Sequence, residues 1–243
     1  MVVKSEIKLI KSLQQKKYRT QNGLFVAEGV KTVTELLGSR FSVHKIYSTE
    51  VELLEGVVGE RALVSPAELR KMSGLQTPNK ILGVFHMPEP VPLDFKDWIL
   101  LLDAVQDPGN LGTIIRLCDW FGIRHLACSP DTVDCFNPKV LQATMGSIAR
   151  VNLVYTPLEN LLKETSLPVY GAYMEGTPVY DETLPACGLL VMGNEAHGIS
   201  TGIGRQVGQK ISIPQYGTPS AESLNVAMAT AILLNEIRRP TRK

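Results

Sequence analysis

The sequence lacks the features that would place it in a membrane, in the secretory route or around a metal ion. No apolar run in its 243 residues approaches the length of a membrane-spanning helix, and its lysine-rich start has no apolar signal-peptide core. Its four cysteines and four histidines include no C-x-x-C pair and no metal-ligand spacing. These absences predict a cytoplasmic protein with reduced thiols and no bound metal.

Common signatures of nucleotide-binding and hydrolytic enzymes are also absent. The chain has no G-x-x-x-x-G-K-[ST] phosphate loop, no G-x-G-x-x-G after a first strand and no G-x-S-x-G elbow. Hydrophobic residues make up 44% of the chain and charged residues 20%, which is typical of a globular protein. The length allows one large domain or two small ones.

Charge is nearly balanced, at a formal +1, but it is unevenly distributed. Basic residues crowd both ends of the chain: Lys4, Lys8, Lys11, Lys16, Lys17 and Arg19 at the start, and Arg238, Arg239, Arg242 and Lys243 at the finish. Such ends could bind the phosphates of a nucleic acid, and solvated helix faces would have the same composition. Both interpretations stay open from composition alone.

The segment Met87–Pro92 divides the chain, because its three alternate prolines cannot continue a helix or a central strand. Before it, alternating strand and helix patterns predict a small α/β domain over residues 1–90, with a largely parallel sheet of about four strands. Its first helix is expected over residues 5–17. After it, residues 91–243 alternate buried strands with helices in the same way, which predicts a second α/β domain.

One strand exit in the second region carries polar residues of a catalytic type. The apolar run Leu189–Met192 is typical of a strand buried on both faces, and it ends at Gly193, Asn194 and Glu195, with Gly198 close behind. A glycine and an acid at such a position are typical of an open α/β sheet that presents chemistry at its carboxyl edge. An ordinary turn would use the same residue types.

A second strand exit, residues 106–112, leads into a helix expected over residues 113–121. Asn110, Gly112 and Arg116 form an N-x-G-x-x-x-R pattern there. A helix N-terminus attracts phosphate or carboxylate groups, and Arg116 is expected near it, on the face of Gly112. A capped helix with one surface arginine would have the same sequence.

A third exit precedes the last apolar helix, where Ser223 and Asn225 stand. Both residues are good helix caps, so this position alone predicts only a helix start. Three strand exits that all offer polar residues of catalytic type are harder to attribute to coincidence.

Together the three stretches resemble the three motifs of the SpoU (TrmH-like) RNA methyltransferases, in the SPOUT superfamily. The matching stretches are Asp107–Arg116, Val191–Ile199, and Ile211–Pro214 with Ser223–Ala227. Their order and spacing agree over residues 97–240, and the set of three is far more specific than any single motif. Residues 25–29, Phe-Val-Ala-Glu-Gly, more loosely resemble the ribosomal-protein-type substrate-binding domain that often precedes this catalytic domain.

The resemblance implies an α/β fold with a deep trefoil knot, a homodimer, and methyl transfer from S-adenosylmethionine to a ribose 2′-hydroxyl of rRNA or tRNA. The cofactor site that it implies comprises Met192, Gly193, Asn194, Gly198, Ile213, Ser223 and Leu224. The catalytic set that it implies comprises Arg116, Asn110, Glu195, Ser223 and Asn225.

The resemblance also implies roles for these residues. Arg116 would be the central catalytic residue, and holding a phosphate while stabilising an alkoxide suits it better than acting as a base, because a guanidinium stays protonated. Asn110 would orient Arg116 or the ribose. Glu195 and Asn225 would organise the site by hydrogen bonds, and Ser223 would position the target nucleotide. Two alternatives remain: a non-catalytic RNA-binding protein, and a SPOUT methyltransferase that acts on a base.

Overall fold

The computed structural model describes residues 2–217 and 223–239. These form two compact units, one of residues 1–89 with 134–150 and one of residues 90–133 with 151–243. Within the described residues, no helix is both long and apolar enough to cross a bilayer. The basic residues Arg242 and Lys243 lie outside the described residues.

The first 86 residues form four helices and four strands. They are α1 Lys4–Ser12, α2 Lys16–Asn22, β1 Leu24–Glu28, α3 Val30–Leu37, β2 Val43–Ser48, β3 Glu60–Leu63, α4 Pro66–Met72 and β4 Ile81–His86.

Eleven further elements follow. They are β5 Ile99–Leu102, α5 Pro108–Trp120, β6 His125–Cys128, α6 Pro138–Thr144, β7 Asn152–Tyr155, α7 Leu158–Glu164, β8 Val169–Pro178, β9 Leu189–Met192, α8 Thr201–Gly204, β10 Gln209–Ser212 and α9 Val226–Arg238. All of them except α6 belong to the second unit.

The sheet of the first unit is mixed, so the prediction of a largely parallel sheet is wrong. Its strand order is β1-β4-β2-β3, and β4 runs antiparallel to both of its neighbours, whereas β2 and β3 are parallel. The chain returns from α4 through the non-helical residues 73–80, so β4 enters the sheet in the reverse direction. Because β4 is buried along almost its whole length, it takes a central position.

The helix expected over residues 5–17 is two helices, and Arg19 explains the break between them. Its buried guanidinium donates hydrogen bonds to the carbonyl oxygens of Leu13 and Gln14, both at 2.9 Å. In a continuous helix these oxygens would accept from the amides four residues later. The side chain of Arg19 therefore satisfies backbone groups that the break leaves without helical partners.

Residues 134–150 lie in the first unit, which differs from the predicted division at residue 90 into two continuous domains. Asp134 forms an ion pair with the buried Arg19 at 2.5 Å. The ring of Phe136 packs on that of Phe25, with centroids 4.5 Å apart. These contacts join residues about 115 positions apart in the chain, and no local sequence pattern encodes them.

The sheet of the second unit is entirely parallel, in agreement with the predicted α/β pattern. Its six strands lie in the order β10-β8-β9-β5-β6-β7. The first strand, β5, lies inside the sheet, with β6 and β7 on one side and the later strands on the other. Such a reversal of strand order creates a crevice at the carboxyl ends of the two strands beside it, here β5 and β9.

Candidate active site

The carboxyl ends of β5 and β9 lie side by side, with Leu102 paired in register to Met192. Both strands are fully buried, because parallel strands in the middle of a sheet are covered on both faces. The segments that follow them, residues 103–107 and 193–200, therefore leave the sheet at the same edge. These two segments carry most of the polar residues of the site.

Helix α5 begins at Pro108, five residues before the predicted start at Thr113. Asp107 is its N-cap and accepts a hydrogen bond from the Asn110 amide at 2.7 Å, and the proline at the first helical position supports the start. Asn110 therefore lies in the first turn. Arg116 follows Pro108 by eight residues and so lies about 12 Å along the helix axis from the start of α5, which corrects the expectation that it stands near the helix mouth.

Three of the predicted catalytic side chains meet in one hydrogen-bonded cluster. The side-chain nitrogen Nδ2 of Asn110 donates to Glu195 Oε1 at 3.0 Å, and Nδ2 of Asn225 donates to Asn110 Oδ1 at 2.9 Å. The Glu195 carboxylate also accepts from the backbone amides of Gln106 at 3.4 Å and Asp107 at 3.3 Å. A carboxylate at a helix N-terminus is electrostatically favourable. We call Asn110, Glu195 and Asn225 the amide–carboxylate cluster.

The loop that carries Glu195 is held in shape by Asn194. Its amide nitrogen donates to the Ala104 carbonyl at 2.7 Å, and its Oδ1 accepts from the amides of Ala196 and His197 at 2.9 and 3.0 Å. Its backbone exchanges two 2.9 Å hydrogen bonds with that of Gly198. These bonds fold residues 194–198 into a tight loop beside the β5 exit.

Two glycines are required by the shape of this loop. A Cβ atom at Gly193 would lie 2.2 Å from the carbonyl carbon of Gly198, a distance that no side chain can adopt. Gly198 itself has a φ of 68°, in the left-handed region that favours glycine. The close approach of the two backbones therefore explains both glycines of the motif.

Asp103 holds the far end of the same loop, and the sequence analysis missed it. Its carboxylate is buried, with the residue 5% exposed, and Oδ2 accepts from the Ser200 amide at 2.6 Å. It is the first polar residue after the apolar run of β5. That position at a strand exit was the available signal.

A cavity of about 980 Å³ borders the cluster, formed by the middle of β8, the ends of β9 and β10 and the start of α9. All of the predicted cofactor residues line it: Met192, Gly193, Asn194, Gly198, Ile213, Ser223 and Leu224. Glu195 and Asn225 also face it. Its volume is that of a small-molecule site.

The wall of the cavity formed by β8 and β10 was not predicted. Tyr173 and Lys210 line it, and the Lys210 ammonium lies 4.9 Å from the centroid of the tyrosine ring. Burial and the negative charge of Asp103 raise the pKa of Tyr173 above its ordinary value. Among the described residues there is no group of three or more potential metal ligands.

Two predicted catalytic residues stand outside the cluster. The side chain of Arg116 is exposed and makes no hydrogen bond or ion pair with another described residue, so Asn110 does not orient it in this structure. Ser223 is exposed and lines the cavity. The structure therefore brings Asn110, Glu195 and Asn225 together and leaves Arg116 unpaired with them.

Comparisons with known proteins agree with this architecture. Residues 97–235 match the model of the SpoU rRNA methylase family, and residues 4–83 match that of the MRM3-like substrate binding domain. The 23S rRNA (guanosine(2553)-2′-O)-methyltransferase of Bacillus subtilis is 35% identical over 242 residues, which cover 96% of each chain.

Solved structures give the same result. A TrmH-family protein from Porphyromonas gingivalis superposes with a TM-score of 0.89 at 38% identity, over 99% of both chains. An AdoMet-bound rRNA methyltransferase from Sinorhizobium meliloti superposes with a TM-score of 0.87 at 28% identity, over 100% of this chain and 97% of that one. Because the family model covers more than half of the sequence and the B. subtilis relative matches nearly all of it, the chain belongs to the SpoU rRNA methylase family.

Proposed function

We propose that this protein transfers a methyl group from S-adenosylmethionine to a ribose 2′-hydroxyl of rRNA. The observation that carries the proposal is the amide–carboxylate cluster at the edge of the 980 Å³ cavity, built from all three SpoU motifs. The B. subtilis relative, whose name states 2′-O-methylation of 23S rRNA, supports the ribose and the rRNA. Residues 91–243 would be the methyltransferase domain, and residues 1–90 would bind the RNA substrate.

The cavity fits the cofactor on two grounds. Gly193 and Gly198 leave backbone rather than side chains at its wall. Ile213 and Leu224 offer apolar surface, whereas Asn194 and Ser223 offer hydrogen-bonding groups. When bound, S-adenosylmethionine supplies an electrophilic methyl group.

Arg116 has the charge that the substrate hydroxyl needs. A ribose hydroxyl becomes a good nucleophile only as its proton leaves, so a fixed positive charge beside it stabilises the developing alkoxide. The guanidinium can also hold the adjacent phosphate by paired hydrogen bonds. Being unpaired with the described residues, Arg116 is available for both contacts.

We assign Glu195 a positioning role rather than a direct one. Its two oxygens accept three hydrogen bonds, from the Asn110 side chain and from the amides of Gln106 and Asp107. These bonds fix the exit of β5 against the exit of β9. Asn110 and Asn225 would then present their remaining polar atoms to the ribose, and Ser223 would position the target nucleotide.

The proposal includes a homodimer in which a second copy covers an exposed apolar face. Trp120 of α5 is 84% exposed and Met228 of α9 is 60% exposed, and these two helices pack on each other. Arg116 lies four residues before Trp120 and so on the same face of α5. A partner docked there would place its own groups beside Arg116 and complete the site.

The trefoil knot and the cytoplasmic location also belong to the proposal. The knot would involve the chain between β10 and α9, where Thr218–Glu222 lie outside the described residues. An experimental structure that traces these residues would test the knot. Fractionation of cells that produce the tagged protein would test the location.

Two measurements separate the proposal from its alternatives. Titration calorimetry should detect S-adenosylmethionine binding, and labelled methyl groups should pass into rRNA from cells that lack the gene. A protein that binds RNA without measurable affinity for S-adenosylmethionine would instead be a non-catalytic RNA-binding protein. Methyl groups recovered on bases would favour the base-modifying alternative.

A further inference from the structure

The two units carry opposite formal charge. Residues 1–89 with 134–150 contain 15 lysines and arginines against 10 aspartates and glutamates, whereas the rest of the chain contains 10 against 14. The near-zero net charge of the whole chain therefore conceals a basic first unit. A polyanion would be attracted to that unit and not to the second.

Within the first unit, five lysines of α1 and α2 are exposed to solvent. Lys4, Lys8 and Lys11 follow each other at helical spacing of four and three residues and so share one face of α1. Lys16 and Lys17 open α2 directly after the break. All five are exposed, and we call them the lysine face.

The acids that could neutralise the lysine face are committed elsewhere. The Glu6 carboxylate forms an ion pair with the Lys45 ammonium at 2.6 Å, and the hydrogen bond from Lys45 lowers the pKa of Glu6. Glu68 caps α4 through the Ser65 amide and also accepts from the Val2 amide. Asp134 is paired with the buried Arg19. The five lysines have no ion pair with any residue of the described part of the chain.

The apolar residues of α1 distinguish between classes of partner. Ile10 of α1 and Leu13, the residue directly after α1, are almost completely buried, at 1% and 0% exposure, and Ile7 packs against the same core. A helix that binds a bilayer would keep such residues free on one exposed side. A face with charge but without an apolar stripe fits a hydrophilic polyanion.

We propose that the lysine face binds the sugar–phosphate backbone of the substrate RNA. This inference rests on the proposed function, since it names where that substrate is held. The contacts are ammonium to phosphate, which give affinity and position without reading the base sequence. Selection of the target nucleotide is left to other surfaces.

The test is the salt dependence of RNA binding. The variant K4Q/K8Q/K11Q removes three charges from exposed positions and should keep the wild-type melting temperature. Its affinity for a fluorescein-labelled, mixed-sequence 20-nucleotide RNA should fall by about tenfold or more at low salt. The slope of log affinity against log salt should become shallower by about 2, since each phosphate contact to a single strand contributes about 0.7.

The matched control is K96Q/K163Q/R205Q, which removes the same charge from exposed positions of the second unit. It should bind this RNA with the wild-type slope. An unchanged slope in K4Q/K8Q/K11Q, or an equal change in both variants, would overturn the inference.

The readout also separates this inference from the proposed function. Binding of a mixed-sequence RNA does not require methyl transfer, and S-adenosylmethionine affinity is measured separately by calorimetry. If the wild type transfers methyl groups but the slope of K4Q/K8Q/K11Q does not change, only the proposal that the lysine face binds RNA is wrong. If the slope changes but the wild type neither binds the cofactor nor transfers methyl groups, the proposed function is wrong.

Discussion

Single side chains of the site differ in how firmly this chain holds them. Asn110, Glu195 and Asn225 are fixed by mutual hydrogen bonds, whereas the side chain of Arg116 makes no hydrogen bond or ion pair with any described residue. The family motifs in the sequence predicted all four as catalytic residues. The sequence did not show that Arg116 differs from the other three in its contacts. The predicted start of α5 lay five residues after the observed start at Pro108, so Arg116 was expected closer to the helix N-terminus than it is.

The guanidinium of Arg116, which is unpaired with the described residues, leads to the first prediction. Arg116→Ala should lower kcat for methyl transfer by about 100-fold to 1,000-fold, the usual effect of removing a group that stabilises an oxyanion. Arg116→Lys keeps the charge but cannot form the bidentate hydrogen bonds of a guanidinium, so it should recover only part of the rate. Calorimetry should find unchanged S-adenosylmethionine affinity in both variants. Full activity of Arg116→Ala would remove the residue from the mechanism.

Asn225 has two functions that one substitution can separate. Its Oδ1 caps α9 by accepting from the amides of Ala227 and Met228, and its amide nitrogen donates to Asn110. Asn225→Ser keeps a good cap but is too short to reach Asn110, so it should melt like the wild type while methyl transfer slows. Asn225→Ala should lose both the activity and about 1 kcal/mol of stability. Equal stability losses in the two variants would contradict the separation.

At the scale of secondary-structure elements, the exits of β5 and β9 act as one connected structure. The loop that carries Glu195 is anchored at both ends, by the hydrogen bond of Asn194 to Ala104 and by that of Ser200 to Asp103. The buried strands were predictable because continuous apolar runs identify them. The pairing of β5 with β9 was not, because strands about 90 residues apart in sequence can pair in several orders.

The buried carboxylate of Asp103 gives the element-scale prediction. Asp103→Ala should leave the Ser200 amide without its partner and loosen the loop, which raises the dissociation constant for S-adenosylmethionine by about tenfold. Asp103→Asn keeps an acceptor oxygen at the same place and should have a smaller effect. Titration calorimetry measures both. An unchanged dissociation constant in the alanine variant, with normal folding, would show that Asp103 does not position the loop.

Sequence patterns do not determine whether neighbouring strands run parallel or antiparallel. Alternating strands and helices correctly predicted the parallel sheet of the second unit. The same pattern failed for the first unit, because residues 73–80 return the chain in the opposite direction and β4 enters between β1 and β2. Hydrophobic pattern encodes burial, but it does not encode the path of a connecting segment.

At the scale of the whole molecule, the chain is organised by contacts that no local pattern contains. Residues 134–150 follow a strand of the second unit and yet pack into the first, through Asp134 with Arg19 and Phe136 with Phe25. A proline-rich segment marks one passage of the chain between units. The other two passages, after residues 133 and 150, have no comparable composition.

The exposed Trp120 gives the whole-molecule prediction. Trp120→Glu should convert the proposed homodimer to a monomer, because a charge in an apolar interface is costly to desolvate. Methyl transfer should fall with it, since in the proposed homodimer the partner would complete the site beside Arg116. Analytical ultracentrifugation measures the oligomeric state of the variant. Val58→Glu, at a residue of the first unit that is 88% exposed, is the matched control and should stay dimeric.

The position of the transferred methyl group decides between ribose and base methylation. The wild-type protein is incubated with rRNA from cells that lack the gene and with S-adenosylmethionine, and the RNA is then digested with nucleases and analysed by mass spectrometry. A ribose 2′-O-methyl blocks cleavage of the neighbouring phosphodiester, so we expect one nuclease-resistant dinucleotide that carries the methyl on its sugar. A methyl group found only on a base, or no transfer by a protein that binds S-adenosylmethionine, would contradict the account.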